Sequence, residues 1–176
     1  MYEIDPLIQL LPDIDELRPS IKYEDFLQSN VSKKYVTIIG NPPYVRTKKG
    51  NLYLDFIKKC YGLLKEKGEL VFIVPSDFFK ITSANKLVDH MMKHGHFTHV
   101  YHPHKENLFE NASIDVLIFR YCKEISPDKI CQYNNQPMKI MNNNGIVTFL
   151  DIEKNPNGHS FTLMQNTAMQ NTVMQN

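Results

Sequence analysis

The sequence is poor in several features that would fix its class early. Its 176 residues hold only three cysteines, Cys60, Cys122 and Cys131, and none of them makes a C-x-x-C pair. That spacing offers no disulfide framework and no thiolate metal site. It suits reduced, structurally buried thiols in a cytoplasmic protein. No apolar run approaches the ~20 residues of a membrane-spanning helix. No basic stretch leads into an apolar one at the N-terminus, so neither a membrane partner nor a secretory signal is expected. Charge of one sign is not in surplus either. Twenty Lys and Arg face 19 Asp and Glu, for a formal net charge of +1. Any contact with nucleic acid must therefore come from a local patch. Glycines are scattered, at 40, 50, 62, 68, 95, 145 and 158, and no G-x-G occurs.

What is present is an ordinary globular composition, 42 % apolar and 22 % charged. It is enough for one domain with a real core and a short extension. Tyr2 to Asp5 reads as the end of a strand, and residues 21–24 as a short one. Tyr35 to Gly40 is a β-branched apolar run that reads as a buried central strand, stopped by Asn41-Pro42-Pro43. Apolar residues at 53, 56, 57, 60, 63 and 64 have helical spacing, with Gly68 just beyond. Leu70 to Val74 is a second buried strand. Residues 84, 87, 88, 91 and 92 mark a second helix, closed near Gly95. Strands follow at about 97–101 and 114–122. Strands alternating with amphipathic helices predict an α/β fold with a mostly parallel sheet. The last two strands are joined by about a dozen residues without helical pattern, which predicts an antiparallel edge strand.

Asn41-Pro42-Pro43-Tyr44 follows directly on an apolar strand, and open α/β sheets bind ligands beyond the carboxyl ends of their strands. Two prolines stiffen the backbone and remove two N–H donors. Asn41 adds a side-chain oxygen acceptor and Tyr44 a flat ring. An exocyclic amine on a heterocycle is a poor nucleophile because its lone pair is delocalised. Two acceptors on its N–H groups draw it toward a tetrahedral nitrogen and stabilise the charge that develops during attack on a methyl group. Asn41 Oδ1 and the Pro42 carbonyl are the obvious pair. The plainer alternative is a rigid turn.

From Tyr2 to about Lys123 the sequence resembles the N6-adenine DNA methyltransferases of the gamma arrangement, with motifs in the family's order. Asn41, Pro42, Pro43 and Tyr44 match the catalytic tetrapeptide. Glu3 in Glu-Ile-Asp-Pro resembles the acid that holds the ribose of S-adenosyl-L-methionine (AdoMet). Asp25 and Phe26 resemble the pair that meets the cofactor's adenine, and Phe56 resembles a further wall of that pocket. Phe109, in Leu-Phe-Glu-Asn, resembles the aromatic that stacks on a flipped adenine opposite Tyr44. The simpler readings are a strand end for Glu3, a turn cap for Asp25 and a core aromatic for Phe109. The resemblance implies a partial Rossmann-like AdoMet-dependent methyltransferase fold. It implies methyl transfer to N6 of a flipped adenine in double-stranded DNA, as in restriction-modification systems, with no metal.

The family's glycine-rich first motif has no counterpart here. The first strand is expected to be missing, with an upstream chain supplying it and a downstream domain supplying target recognition. The expected organisation is a partial catalytic domain over 1–124, the start of a linker or target-recognition module over 125–160, and a disordered tail over 161–176. That tail repeats Thr-x-Met-Gln-Asn three times. Arg46, Lys48 and Lys49 after the tetrapeptide, with His102, His104 and Lys105 in the loop of Phe109, offer DNA phosphate contacts. A solvated loop is the alternative for the Lys/Arg run. Two other functions stay open: a protein-glutamine or RNA-base methyltransferase sharing the tetrapeptide, and a non-catalytic remnant or one part of a split enzyme.

Overall fold

The computed structural model describes residues 2–3, 20–48, 50–103 and 114–154. The chain divides into two compact units, Met1–Lys33 and Lys34–Asn176. In the first, β1 (Tyr2–Glu3) pairs in parallel with β2 (Lys22–Tyr23), with Glu3 opposite Tyr23. Both short strands lie where the sequence predicts them.

The second unit is built on one seven-stranded sheet. Its members are β3 (Tyr35–Gly40), β6 (Leu64–Pro75), β7 (His96–Tyr101), β8 (Val116–Cys122), β9 (Ile130–Tyr133), β10 (Gln136–Asn143) and β11 (Ile146–Asp151). The strand order is β11-β10-β9-β7-β8-β6-β3. β3 runs parallel to β6, and β7 parallel to β9, while β8 lies antiparallel between β6 and β7. The sheet is thus mixed rather than largely parallel. The short β7–β8 connection gives the predicted antiparallel pair, but that pair sits inside the sheet. Residues 130–151, expected to open a separate module, continue the sheet as an antiparallel meander beside β7.

Two helices follow strands β3 and β6. α1 (Leu52–Gly62) buries Tyr53, Ile57, Cys60 and Tyr61 on one face. Its first turn carries Asp55 and its last turn Lys59, which complements the helix dipole. The sequence predicts this helix to run further. It stops because the Leu63 carbonyl accepts from Tyr35 N–H at 2.8 Å, which draws the chain straight into sheet pairing. α2 (Asn85–His94) buries Val88 and Met91. The buried Tyr121 hydroxyl donates to the Met91 carbonyl at 2.8 Å and ties α2 to the sheet.

The core is strongly aromatic. Phe78 stacks on Phe119, with centroids 5.3 Å apart, and Phe79 meets Phe97 edge-on at 4.9 Å. Burial alternates along β6, with Leu70, Phe72 and Val74 inside and Glu69, Val71 and Ile73 half-exposed. The half-open face carries the Arg120–Glu69 ion pair. β3 departs from its expected burial. It is the last strand on its side of the sheet among the described residues, and Val36 and Ile39 are 61 % and 76 % exposed.

Candidate active site

The parallel pair β3–β6 ends with Gly40 opposite Phe72. A Cβ on Gly40 would lie 2.9 Å from the Phe72 ring, so the residue before the tetrapeptide must be small. The chain then leaves the sheet as Asn41-Pro42-Pro43-Tyr44. Pro42 is buried, Tyr44 is half-buried and Asn41 is exposed. One link of the corner is polar: the Tyr44 hydroxyl donates to Asn41 Oδ1 at 2.9 Å. The Asn41 oxygen is therefore already engaged once, and its second lone pair is left for another donor. Partial burial pushes the Tyr44 phenol up to about 12, so it stays a donor at neutral pH.

Beyond Tyr44 the chain makes a small hairpin, β4 (Arg46–Thr47) with β5 (Gly50–Asn51). Gly50 takes φ +135°, a conformation that side chains other than glycine's rarely allow. Leu52 N–H donates to the Val45 carbonyl at 2.9 Å, which starts α1 directly beneath the corner. This places Tyr53, 3 % exposed, edge-on to the Tyr44 ring with centroids 6.2 Å apart at 88°. Among the described residues the buried Tyr53 hydroxyl has no hydrogen-bond partner. Nothing in the sequence beyond its place in the helix's first turn distinguishes Tyr53 as a support of Tyr44.

The other candidate residues are placed as follows. Arg46 and Lys48 are exposed on the hairpin. Phe56 is half-buried on α1. Asp25 is exposed, and its Oδ1 accepts from Leu27 N–H at 2.9 Å, the turn-capping geometry foreseen for it; Phe26 follows, half-buried. Glu3 lies on β1, and its side chain falls outside the described residues, as do Lys49, His104, Lys105 and Phe109. The segment that carries Phe109 departs after Tyr101, the end of β7, and returns before Val116, the start of β8. Tyr101 pairs next to β8 Ile118, and Val116 pairs with Pro75 at the end of β6. Both its ends thus lie at the same end of the sheet as Gly40 and Asn41.

His102 is only 4 % exposed and its ring is engaged by protein groups, so its imidazole is not presented to solvent phosphates. Among the described residues no group of three His, Cys, Asp or Glu side chains is placed to hold a metal ion. A groove of about 660 Å³ runs between α1 and α2, lined in part by Asn51, Asp55, Lys58, Lys86 and His90. Neither Asn41 nor Tyr44 lines it, so it is not where the corner's chemistry would occur.

The sequence and the fold match known proteins. The family model of the Eco57I restriction-modification methylases covers residues 9–109, more than half of the chain. The chain is 32 % identical over 134 residues to the type II methyltransferase M.HincII of Haemophilus influenzae, spanning 64 % of this chain and 27 % of that protein. It is 43 % identical over 74 residues to the modification methylase CviBIII of Paramecium bursaria Chlorella virus NC1A, spanning 35 % and 19 % respectively. Among solved structures, a Listeria monocytogenes protein described as a class I S-adenosylmethionine-dependent methyltransferase superposes with TM-score 0.62 at 19 % identity. That match covers 75 % of this chain and 47 % of that one. The M protein of the type I restriction enzyme EcoKI gives TM-score 0.58 at 15 % identity, over 69 % and 30 %. At these identities the structural likeness speaks for the fold, which is that of class I AdoMet-dependent methyltransferases. The matched family span contains the tetrapeptide, its hairpin and both helices, and the chain belongs to the Eco57I restriction-modification methylase family.

Proposed function

We propose that this chain is the amine-gripping part of an enzyme that methylates N6 of adenine in double-stranded DNA. The observation that carries the reading is the corner after β3. An exposed asparagine and a half-buried tyrosine, bonded to each other at 2.9 Å, stand at the carboxyl end of a parallel strand. Asn41 Oδ1 and the Pro42 carbonyl accept the two N–H bonds of an extruded adenine, and the Tyr44 ring stacks on its face, with Phe109 opposite. As nitrogen attacks, these acceptors meet the growing positive charge on the amine. AdoMet, when bound, supplies an electrophilic methyl group on a sulfonium. By residue type, Glu3, Asp25 and Phe26 of the first unit suit a nucleoside: carboxylates for the ribose hydroxyls and the adenine amino group, and a ring for its face; Phe56 of the second unit offers a ring of the same kind. The Asp25 carboxylate is exposed and keeps acceptor capacity beyond its one backbone bond.

The chain spans 27 % of the M.HincII relative, so the activity of a whole enzyme is part of the proposal. We further propose that a glycine-rich segment reaches this unit from outside residues 1–176, and a recognition domain likewise. The exposed Val36 and Ile39 on β3, with no G-x-G in the sequence, support this split reading. Alone, the chain is then a weak AdoMet binder. Calorimetric titration giving micromolar affinity for the isolated chain would overturn that part. Radiolabelled AdoMet, duplex DNA and the chain combined with a glycine-rich partner segment test the rest. The expected label is in N6-methyladenine. Label in a protein glutamine or an RNA base would replace this reading with the alternative amino-methyltransferase.

A further inference from the structure

Both ends of the tetrapeptide rest on aromatic rings, and those rings are joined to one another. At the first end, Gly40 pairs with Phe72 across β3 and β6, so closely that a methyl group on Gly40 would lie 2.9 Å from the ring. Phe72 pairs with Phe119 across β6 and β8, and the two rings stack with centroids 6.1 Å apart at 14°. Phe78 lies on the short 3-10 helix Ser76–Phe79, which follows β6 directly, and it stacks on the same Phe119 at 5.3 Å and 14°. Tyr53 of α1 meets Phe78 with centroids 6.4 Å apart at 65°. Tyr44, at the other end of the tetrapeptide, meets Tyr53 at 6.2 Å and 88°. Every one of these separations falls within the range of about 4.5–7 Å at which ring pairs attract. The contacts thus run from the residue before Asn41 to Tyr44 itself without a break.

The four linking rings are each at most 3 % exposed. A close-packed interior leaves such rings no room to shift one at a time. Tyr53 is placed by its ring rather than by a polar anchor, because its hydroxyl has no hydrogen-bond partner among the described residues. The two prolines stiffen the tetrapeptide between its ends, but they do not decide where either end stands. That position matters, since a misplacement of about 1 Å in a reacting geometry can cost roughly 10²-fold in rate. We propose that Phe72, Phe119, Phe78 and Tyr53 are positioning residues for the tetrapeptide, a continuous ring stack that fixes Gly40 and Tyr44 relative to each other. This rests on the reading of Asn41 and Tyr44 as the groups that hold the adenine.

The test uses the whole chain and two readouts. The first is fluorine NMR of the chain with its nine tyrosines replaced by fluorotyrosine, the Tyr44 resonance being assigned by its loss in Tyr44→Phe. Phe78 is joined to Tyr44 through Tyr53, so Phe78→Leu should move the Tyr44 resonance by more than its linewidth. Phe149→Leu is the control, because it removes an equally buried ring from β11, at the opposite end of the strand order from β3. Circular dichroism checks that each variant is folded, and Phe78→Met, which fills the gap more fully, takes the place of Phe78→Leu if that variant is not. A Tyr44 resonance unmoved by the Phe78 variant, or moved as far by Phe149→Leu, overturns the stack. The second readout is the ratio of affinities, by anisotropy, for a duplex with adenine opposite an abasic site and for one abasic on both strands. The Phe78 variant and Tyr53→Leu should lower this ratio about fivefold or more, as a poorly placed ring loses its stacking on the base. Affinity for the doubly abasic duplex, set by phosphate contacts, should stay within about twofold. Tyr53→Phe keeps the ring and should keep the wild-type ratio. A ratio unchanged in the Phe78 variant, or lost as fully in Tyr53→Phe as in Tyr53→Leu, overturns the positioning role. If wild type itself has a ratio of one, the adenine reading fails, and the stack is decided by the Tyr44 resonance.

Discussion

The Tyr44–Asn41 bond makes a prediction that runs against the usual cost of removing a contact. In Tyr44→Phe the ring remains against Tyr53, and only the hydroxyl that occupies Asn41 Oδ1 is lost. A neutral, solvent-exposed hydrogen bond contributes about 0.5–1 kcal/mol, so stability should fall by no more than that. The freed oxygen then has both lone pairs for an adenine amine, and base binding should be unchanged or up to about threefold tighter, a gain of at most ~0.7 kcal/mol. Tyr44→Ala removes the ring. Base–aromatic stacking contributes about 1–3 kcal/mol, so binding should weaken roughly 5- to 150-fold. The lost edge contact with Tyr53 costs a further ~0.5–1.5 kcal/mol of stability. The assay is an anisotropy titration of a duplex with adenine opposite an abasic site, in which extrusion costs least, beside thermal melts of each variant. If Tyr44→Phe loses as much binding as Tyr44→Ala, the hydroxyl acts on the substrate rather than on Asn41, and the reasoning fails.

Three further outcomes follow from other parts of the molecule. Replacing Lys48 and Lys49 together by Ala should make the slope of log K against log salt shallower by about 1–2 in anisotropy titrations with duplex DNA, and an unchanged slope would assign the hairpin to solvent. Gly40→Ala sets a methyl group 2.9 Å from the Phe72 ring, so a destabilisation of about 1–3 kcal/mol is expected in urea melts; a neutral result would mean that the corner yields freely. Burial pushes the Cys60 and Cys131 thiols from 9.0 up to about 12, so the folded chain keeps protons that the unfolded chain gives up. Their contribution to stability is whole below pH 9 and is lost as pH rises toward 12, and Ellman's reagent at pH 8 should reach neither thiol until denaturant is added.

The sequence displays the Asn41–Tyr44 corner more clearly than the sheet around it. Asn41 to Tyr44 is legible because prolines after a β-branched run leave the chain one outcome, a stiff exit from a strand. The strand end at Pro75 is legible for the same reason, whereas the last predicted strand, read from 114, begins at Val116. Sheet order is not legible, because it depends on pairings between distant segments. Ile146 to Asp151 has the apolar character of a strand, but nothing local says that it extends the sheet of β3 and β6 rather than opening a new module. β3 misleads for the opposite reason. Its composition suits burial on both faces, whereas Val36 and Ile39 stand exposed. His102 illustrates a limit of residue type: a histidine among histidines and a lysine reads as a surface patch, and only the fold brings Asp115 and Asn134 to it. The Asn134–Asn135 turn between β9 and β10 was the available clue, since paired asparagines tolerate the positive φ of a tight hairpin.

The most direct test of the proposed amine-gripping corner is the rate of N6-methyladenine formation by Asn41→Ala, with the proposed glycine-rich segment supplied as a separate chain and DNA affinity measured alongside. A lost pre-organised acceptor should lower the rate about 10²- to 10³-fold while DNA affinity changes by less than about threefold. A variant that methylates adenine within threefold of wild type would contradict the account.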